Sequence, residues 1–164
     1  MASVDLAEII PDLQAAVTAP GIDSPYASAS DGEWLARLKN GFWAAFNDGV
    51  ISSSFDCDED GVVVSTETFG RDLQQIVIMY AGMNILQNRL AQINTSFKAK
   101  AGSVEYETQQ SAQVLKGLLD SMLEQRNFLL KRLSDSGTVS SYYIDSVISR
   151  DEAIYRGSNV WWGA

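Results

Sequence analysis

The sequence predicts a mainly α fold: a helical bundle with a long αα-hairpin, one small β-hairpin and an extended C-terminal tail. Three observations predict it. Apolar residues recur at threes and fours through two long segments, 66–97 and 103–133, joined by a short link. Between two shorter runs stands Asp60-Gly61, a turn-forming pair flanked by alternating residues. After Gly157 comes SNVWWGA, which continues no periodic pattern. The expected organisation is one helical domain over 1–157, with the β-hairpin at about 50–65, and a docking tail over 158–164.

The elements follow in order. Residues 4–18 place Leu6, Ile9, Ile10, Leu13 and Val17 on one side of a short helix. Pro11 either kinks that helix or marks where its regular part begins. Residues 19–29 hold two prolines and a glycine and read as a loop. Ser30 and Glu33 form an S-x-x-E capping box, so a second helix starts there. Trp34, Leu35, Leu38, Phe42, Ala45 and Phe46 give its stripe, and Asn47-Asp48-Gly49 ends it.

A third helix opens at Thr66 or Glu67. Its stripe is Phe69, Leu73, Ile76, Tyr80, Met83, Leu86, Leu90, Ile93 and Phe97. Ile78, Met79 and Ile85 lie off that stripe, so the middle is apolar on more than one side and needs two neighbours. Lys98 and Lys100 suit its last turn, where they complement the helix dipole; contact with DNA phosphates or an acidic neighbour is the other reading. Ser103 can cap a fourth helix, with Val114, Leu115, Leu118, Leu119, Met122, Leu123, Leu129, Leu130 and Leu133 inward and a break at Ser134 to Gly137. A shorter helix follows, with Tyr143, Val147, Ile148 and Ile154 inward.

Composition narrows the function. Of 164 residues, 46% are hydrophobic, enough for a real core. The strongest apolar run, Ile76 to Leu86, is too short to span a bilayer. The first residues lack the basic start and apolar run of a signal peptide, which points to synthesis in a cytoplasm. There is no histidine, so Ser–His–Asp and Cys–His catalysis are excluded. The lone Cys57 cannot form an internal disulfide. Glu105 and Glu107 stand two apart and share no helical face, so they make a poor acid–base pair. An enzyme is not expected. Met79, Tyr80 and Met83 read as core, not as cofactor ligands.

Charge is uneven. Residues 1–70 hold 12 of the 21 acids and 2 of the 12 bases, a net of −10 against +1 in the remainder. Such a surface repels nucleic acid, and suits a wall past which DNA moves better than a grip. Solubility alone is the other reading of the acids.

The stretch DCDEDGVVVSTE fits the calcium-loop pattern, with Asp56, Asp58, Asp60, Gly61 and Glu67 at its fixed positions. Yet VISSSFDC before it favours a strand where a calcium loop needs a helix, and Val64 stands where an oxygen ligand is usual. The preferred reading is a hairpin turning at Asp60-Gly61 with Glu59 opposite Val62. Phe55, Cys57, Val62 and Val64 then share an apolar face, to be covered by a helix or a neighbouring subunit. A monomeric calcium-binding module using Asp56, Asp58, Asp60 and Glu67 is the alternative.

The run FGRDLQQIVIMYAGMNILQNRLAQINTSFKAKAGSVEYETQQSA resembles head-to-tail connector (adaptor) proteins of long-tailed bacteriophages, especially those of actinobacteria. NTSFKAKAGSVEYETQQSA carries most of the likeness, and the order of elements agrees with it. The resemblance implies a helical structural virion protein with no enzymatic activity and no cofactor. Such proteins form a ring, dodecameric in this family, between the portal and a stopper or tail-terminator protein. They extend the DNA channel at the head–tail junction without binding DNA specifically. In that setting Val160, Trp161 and Trp162 would dock into the portal or an adjacent subunit; folding back onto their own domain is the other reading. Phe55, Val62, Val64, Lys98 and Lys100 are the remaining candidate contact residues.

Overall fold

The computed structural model describes residues 2–18, 28–97, 104–137 and 144–150. The fold is mostly helical, with a small three-stranded antiparallel sheet. Strand β1 (Ala2–Asp5) leads through a 3-10 turn (Leu6–Ile9) into α1 (Ile10–Val17). Then come α2 (Asp31–Asn47), β2 (Phe55–Cys57), β3 (Val62–Ser65), α3 (Arg71–Phe97) and α4 (Val104–Asp135). Residues 144–150 are helical.

At the N-terminus, Pro11 decides the start of α1. It occupies the first turn, where a missing N–H leaves no hydrogen bond unmade. The preceding turn is capped by Asp5, whose Oδ1 accepts from the Ala7 N–H at 2.8 Å. Residues 2–5 are not helical, against the helix expected from residue 4. They form a strand because β3 offers an unpaired edge: Ala2, Ser3, Val4 and Asp5 pair with Ser65, Val64, Val63 and Val62. Four residues beside a stronger helical period leave no strand signal of their own.

Helix α2 follows its sequence signals at both ends. The Ser30 Oγ accepts from the Glu33 N–H, and the Glu33 carboxylate accepts from the Ser30 N–H at 2.8 Å. At the other end Gly49 takes a φ of 73°, its N–H bonds the Phe46 carbonyl, and the Val50 N–H bonds the Ala45 carbonyl. This is a Schellman close, and it turns Val50 and Ile51 into the core. The strand expected from residue 50 therefore begins only at Phe55.

The hairpin exists, but its register differs by one residue from that of a turn at Asp60-Gly61 alone. Phe55, Asp56 and Cys57 pair with Ser65, Val64 and Val63. The Gly61 N–H bonds the Asp58 carbonyl, the Asp58 N–H bonds the Val62 carbonyl, and Gly61 has a φ of 86°. These bonds describe a three-residue loop with glycine in the left-handed position. A type I′ turn would need Asp60 at positive φ too, and no described non-glycine residue has one. The Asp58 carboxylate reinforces the wider loop by accepting from the Val62 N–H at 2.8 Å. One step of register exchanges faces on β3. Val63 becomes buried and Val64 turns outward, 38% exposed, while Val62 is half-buried. Phe55 and Cys57 stay inward as expected.

Helix α3 starts at Arg71, later than Thr66 or Glu67. Residues 66–70 are needed to leave the sheet: the Glu67 N–H bonds the Ser65 Oγ at 2.9 Å, and Phe69 packs under Phe55 with ring centroids 5.4 Å apart. From Ile76 to Met83 every residue of α3 is buried. Helices α1, α2 and α4 all pack on it, so the chain itself supplies the neighbours that a helix with several apolar faces requires. Its two-faced composition thus does not by itself demand a second subunit. Helices α3 and α4 form the long αα-hairpin, and an ion pair between Arg132 and Asp72 ties its open end. Being surface-exposed, that pair adds little stability. Ile144 and Val147 of the 144–150 helix are buried in the same core.

Candidate functional site

Much of the sequence-predicted contact set lies outside the described residues: Lys98, Lys100, Val160, Trp161 and Trp162, together with the whole 158–164 tail. Of the remainder, Phe55 is 5% exposed and belongs to the core, where it meets Phe69. It is not a surface contact. Val62 and Val64 lie on the outer sheet face beside Asp5, Asp56 and Asp58. The hairpin's apolar side is covered by the protein's own helices, so it needs no neighbouring subunit.

The acidic loop does not assemble as a calcium loop. Residues 55–57 are a paired strand where an entry helix would be required. Asp58 is engaged with the Val62 N–H, and the Asp56 Oδ1 accepts from the Cys57 N–H at 2.9 Å. Among the described residues no three acids or cysteines converge as metal ligands. The pattern matched because a tight acidic turn and a calcium loop share residue types, while the strand pairing leaves Asp56 and Asp58 spaced along an extended segment and not wrapped around one point. Cys57 is buried, and burial first, then Asp58 and Asp56, push its thiol up against the opposing pull of Lys39. It packs as a small core residue.

A polar junction that sequence reading does not reveal sits where α2, α3, α4 and the 144–150 helix meet. Tyr80 donates its hydroxyl to the Asp48 Oδ2 at 2.8 Å. Arg150 grips both Asp48 oxygens at 2.9 Å each. The Arg126 side chain is 1% exposed; its guanidinium lies 5.3 Å from the Tyr80 ring centroid and donates to the Asn127 Oδ1 at 2.9 Å. Burial pushes the Asp48 carboxyl up, but the Arg150 and Tyr80 hydrogen bonds and the charges of Arg150 and Arg126 outweigh it. The net effect holds the group below its ordinary 3.8. Here the native state binds fewer protons than the unfolded chain, so the contribution is complete above the ordinary carboxylate range and lost as pH falls through the lower folded value. Asp48→Asn should therefore cost about 1–2 kcal/mol at neutral pH. The difference from wild type should vanish in strong acid. Urea titrations at both pH values measure it, and a loss that persists undiminished in acid would refute the ionic role.

Two surface patches complete the picture, on opposite flanks of α3: α2 and α4 both pack on it but make no extended contact with each other. Between α3 and α4 lies a groove of about 370 Å³ lined by Gln75, Met79, Glu124, Gln125, Phe128 and Leu129. Phe128 stands at its edge, 66% exposed. On α2, Trp43 is 37% exposed, propped against Phe42 and Phe46 with centroids 5.2 and 5.3 Å away. The α4 signal was present in sequence, since Phe128 falls outside the helix's leucine stripe. Trp43 also stands outside the α2 stripe, but single exposed aromatics are common enough to pass unremarked.

Comparison of the chain with protein-family models, curated proteins and solved structures gives no match. No helix of the described residues is long and apolar enough to cross a membrane.

Proposed function

We propose that this protein is a structural assembly subunit, an adaptor that forms a ring between a bacteriophage portal and the stopper or tail component beneath it. The observation that carries the reading is the order of elements around the resembling segment. A leading helix, a capped second helix, a β-hairpin and a long αα-hairpin succeed one another as the adaptor likeness implies. The concentration of acids in residues 1–70 supports it, because a channel that lets DNA slide must not bind it. The partners are further copies of this chain, the portal and a stopper or tail-terminator protein. The place of action is the head–tail junction, and no catalytic role is proposed. The calcium reading is not carried forward, since residues 55–57 form a strand where an entry helix would stand and no three acids or cysteines converge among the described residues.

The tail over 158–164 supplies the docking element in this reading. Two indoles offer about 8–12 kcal/mol gross on full burial, against about 5–10 kcal/mol for ordering five residues. The small surplus per copy becomes firm attachment when repeated around a ring. Gold labelling of this protein in particles that have lost their tails should mark the head vertex; label elsewhere or absent from the particle refutes the adaptor. Deleting 158–164 should leave a folded protein with weakened portal attachment, and unchanged attachment would refute the docking role.

A further inference from the structure

We propose that the 144–150 helix is a releasable strap. It undocks from the body as a unit while the rest of the fold stays closed, and the grip of Arg150 on Asp48 is the catch that sets how often it does so. The strap does not depend on the adaptor reading; only the use given to it below does.

Asp48 stands where an acid is normally disfavoured. It closes the carboxyl end of α2, where the helix dipole opposes a negative charge, and the last turn of α2 contains no base to offset it. The compensation comes from far along the chain. Arg126 of α4, 1% exposed, acts on Asp48 through its charge, and Tyr80 of α3 donates to it at 2.8 Å. Both residues belong to long helices packed against each other. Arg150 is the third partner, and it differs. It takes both carboxylate oxygens at 2.9 Å each, yet its side chain is 51% exposed against 14% for Asp48. A guanidinium already half in water loses little on leaving.

The element that carries Arg150 is short. Seven residues make about two turns, too few to persist as a helix alone in water. The strap is therefore helical only while docked. Its inward face is Ile144 and Val147, 1% and 3% exposed, with Ile148 half-buried; Asp145, Ser146 and Ser149 face outward.

The body keeps its own bonds when the strap leaves. Asp48 retains the Tyr80 hydroxyl and the Arg126 charge, so its carboxylate is not stranded. Arg126 retains the Tyr80 ring and the Asn127 Oδ1. The end of α2 stays closed by the Gly49 and Val50 N–H groups on the Phe46 and Ala45 carbonyls. No strand pairing includes residues 144–150. Such a unit opens at a lower free energy than the whole fold.

Release changes reach. Docked, the strap ends at Asp48, beside the carboxyl end of α2. Undocked, its end is tethered to Gly137 by the thirteen residues 138–150, which can span up to about 45 Å. In the adaptor reading this lends the 158–164 tail a range that the docked strap denies it.

Val147→Cys in the full chain provides the probe, and native Cys57, 6% exposed in the sheet, is the internal reference. Iodoacetamide labelling in native buffer is followed at both positions by peptide mass spectrometry, each rate divided by that of the same thiol in urea. Position 147 should label at least about tenfold faster than Cys57. Adding Arg150→Ala should speed position 147 about tenfold more and leave Cys57 unchanged. Arg150→Lys, which keeps the charge without the two-pronged grip, should fall between. Hydrogen exchange of the chain without the probe gives a second reading, free of any loosening by Val147→Cys: amides of 144–150 should exchange ahead of those of 76–83, and Arg150→Ala should widen the gap. Equal rates at the two thiols, with equal exchange in the two segments, overturn the strap, since the fold then opens only as a whole. An Arg150→Ala effect of the same size at both positions overturns it too. Fast labelling at 147 that ignores Arg150 overturns the catch. The virion labelling and the tail deletion above decide the adaptor role separately.

Discussion

Phe42→Ala should destabilise the fold by about 3–5 kcal/mol, the largest loss expected of any single side chain here. Phe42 is fully buried and lies at the centre of an aromatic chain. Its ring centroid is 5.2 Å from Trp43, 6.5 Å from Phe46 and 6.1 Å from Phe69. Phe69 in turn meets Phe55 of the hairpin. Removing the ring opens a cavity between α2 and α3 and also withdraws support from the turn between sheet and helix. Neither helix can close the gap, because both are held elsewhere along their length. The matched control is Phe128→Ala. That ring is 66% exposed, and its loss should change the stability of the single chain by no more than about 0.5 kcal/mol. Urea midpoints of the two variants provide the test, and a Phe42→Ala loss below the control's would remove the aromatic chain from the account of this fold.

Gly41→Ala should cost about 2–3 kcal/mol, whereas Gly82→Ala should lie within about 1 kcal/mol of wild type. Alanine is the better helix former at both positions, so propensity alone favours both changes. Space decides otherwise at Gly41. A Cβ there would stand 2.7 Å from the Val77 carbonyl oxygen, 2.8 Å from the Ala81 nitrogen and 2.9 Å from the Ala81 Cβ. Two of these are backbone atoms of α3 and can yield only if the helices part. At Gly82 the close neighbour is the end of the Met122 side chain, which can take another rotamer. Thermal unfolding of the pair distinguishes a rigid obstruction from a flexible one. Equal losses in both would show that α2 and α3 do not approach as closely as Gly41 implies.

The helices were legible because each carries its own instructions. Ser30 and Glu33 begin α2, and Asn47-Asp48-Gly49 ends it, through bonds between residues three to five apart. Pro11 left two starts open for α1, and the later one holds because a proline belongs in a first turn. The sheet was half legible. A turn at Gly61 could be read, but its width could not, since two- and three-residue loops both accept Asp-Gly. That ambiguity of one residue put Val64 on the wrong face. Strand β1 was not legible at all, because four residues with one valine become a strand only beside an open edge.

The candidate surfaces show the same division. Which residues are apolar along α4 can be counted from the chain, and Phe128 falls outside the stripe, but position alone did not single it out. That Trp43 and Phe128 occupy opposite flanks of α3 depends on which helix packs where. Likewise the Asp48, Tyr80, Arg126 and Arg150 junction joins residues up to 102 apart in sequence, and no local pattern links them.

By itself, the sequence determined the mainly helical class, the limits of α2, the presence of a hairpin, the long αα-hairpin and the segregation of acids into residues 1–70. These follow from helical period, capping and turn chemistry, which act over a few residues. Only the tertiary structure decided the hairpin register, the third strand, the burial of α3 by its own chain and the grouping of side chains into surfaces. Those depend on contacts between distant segments, and their energies are settled by which partners are within reach once the chain has packed.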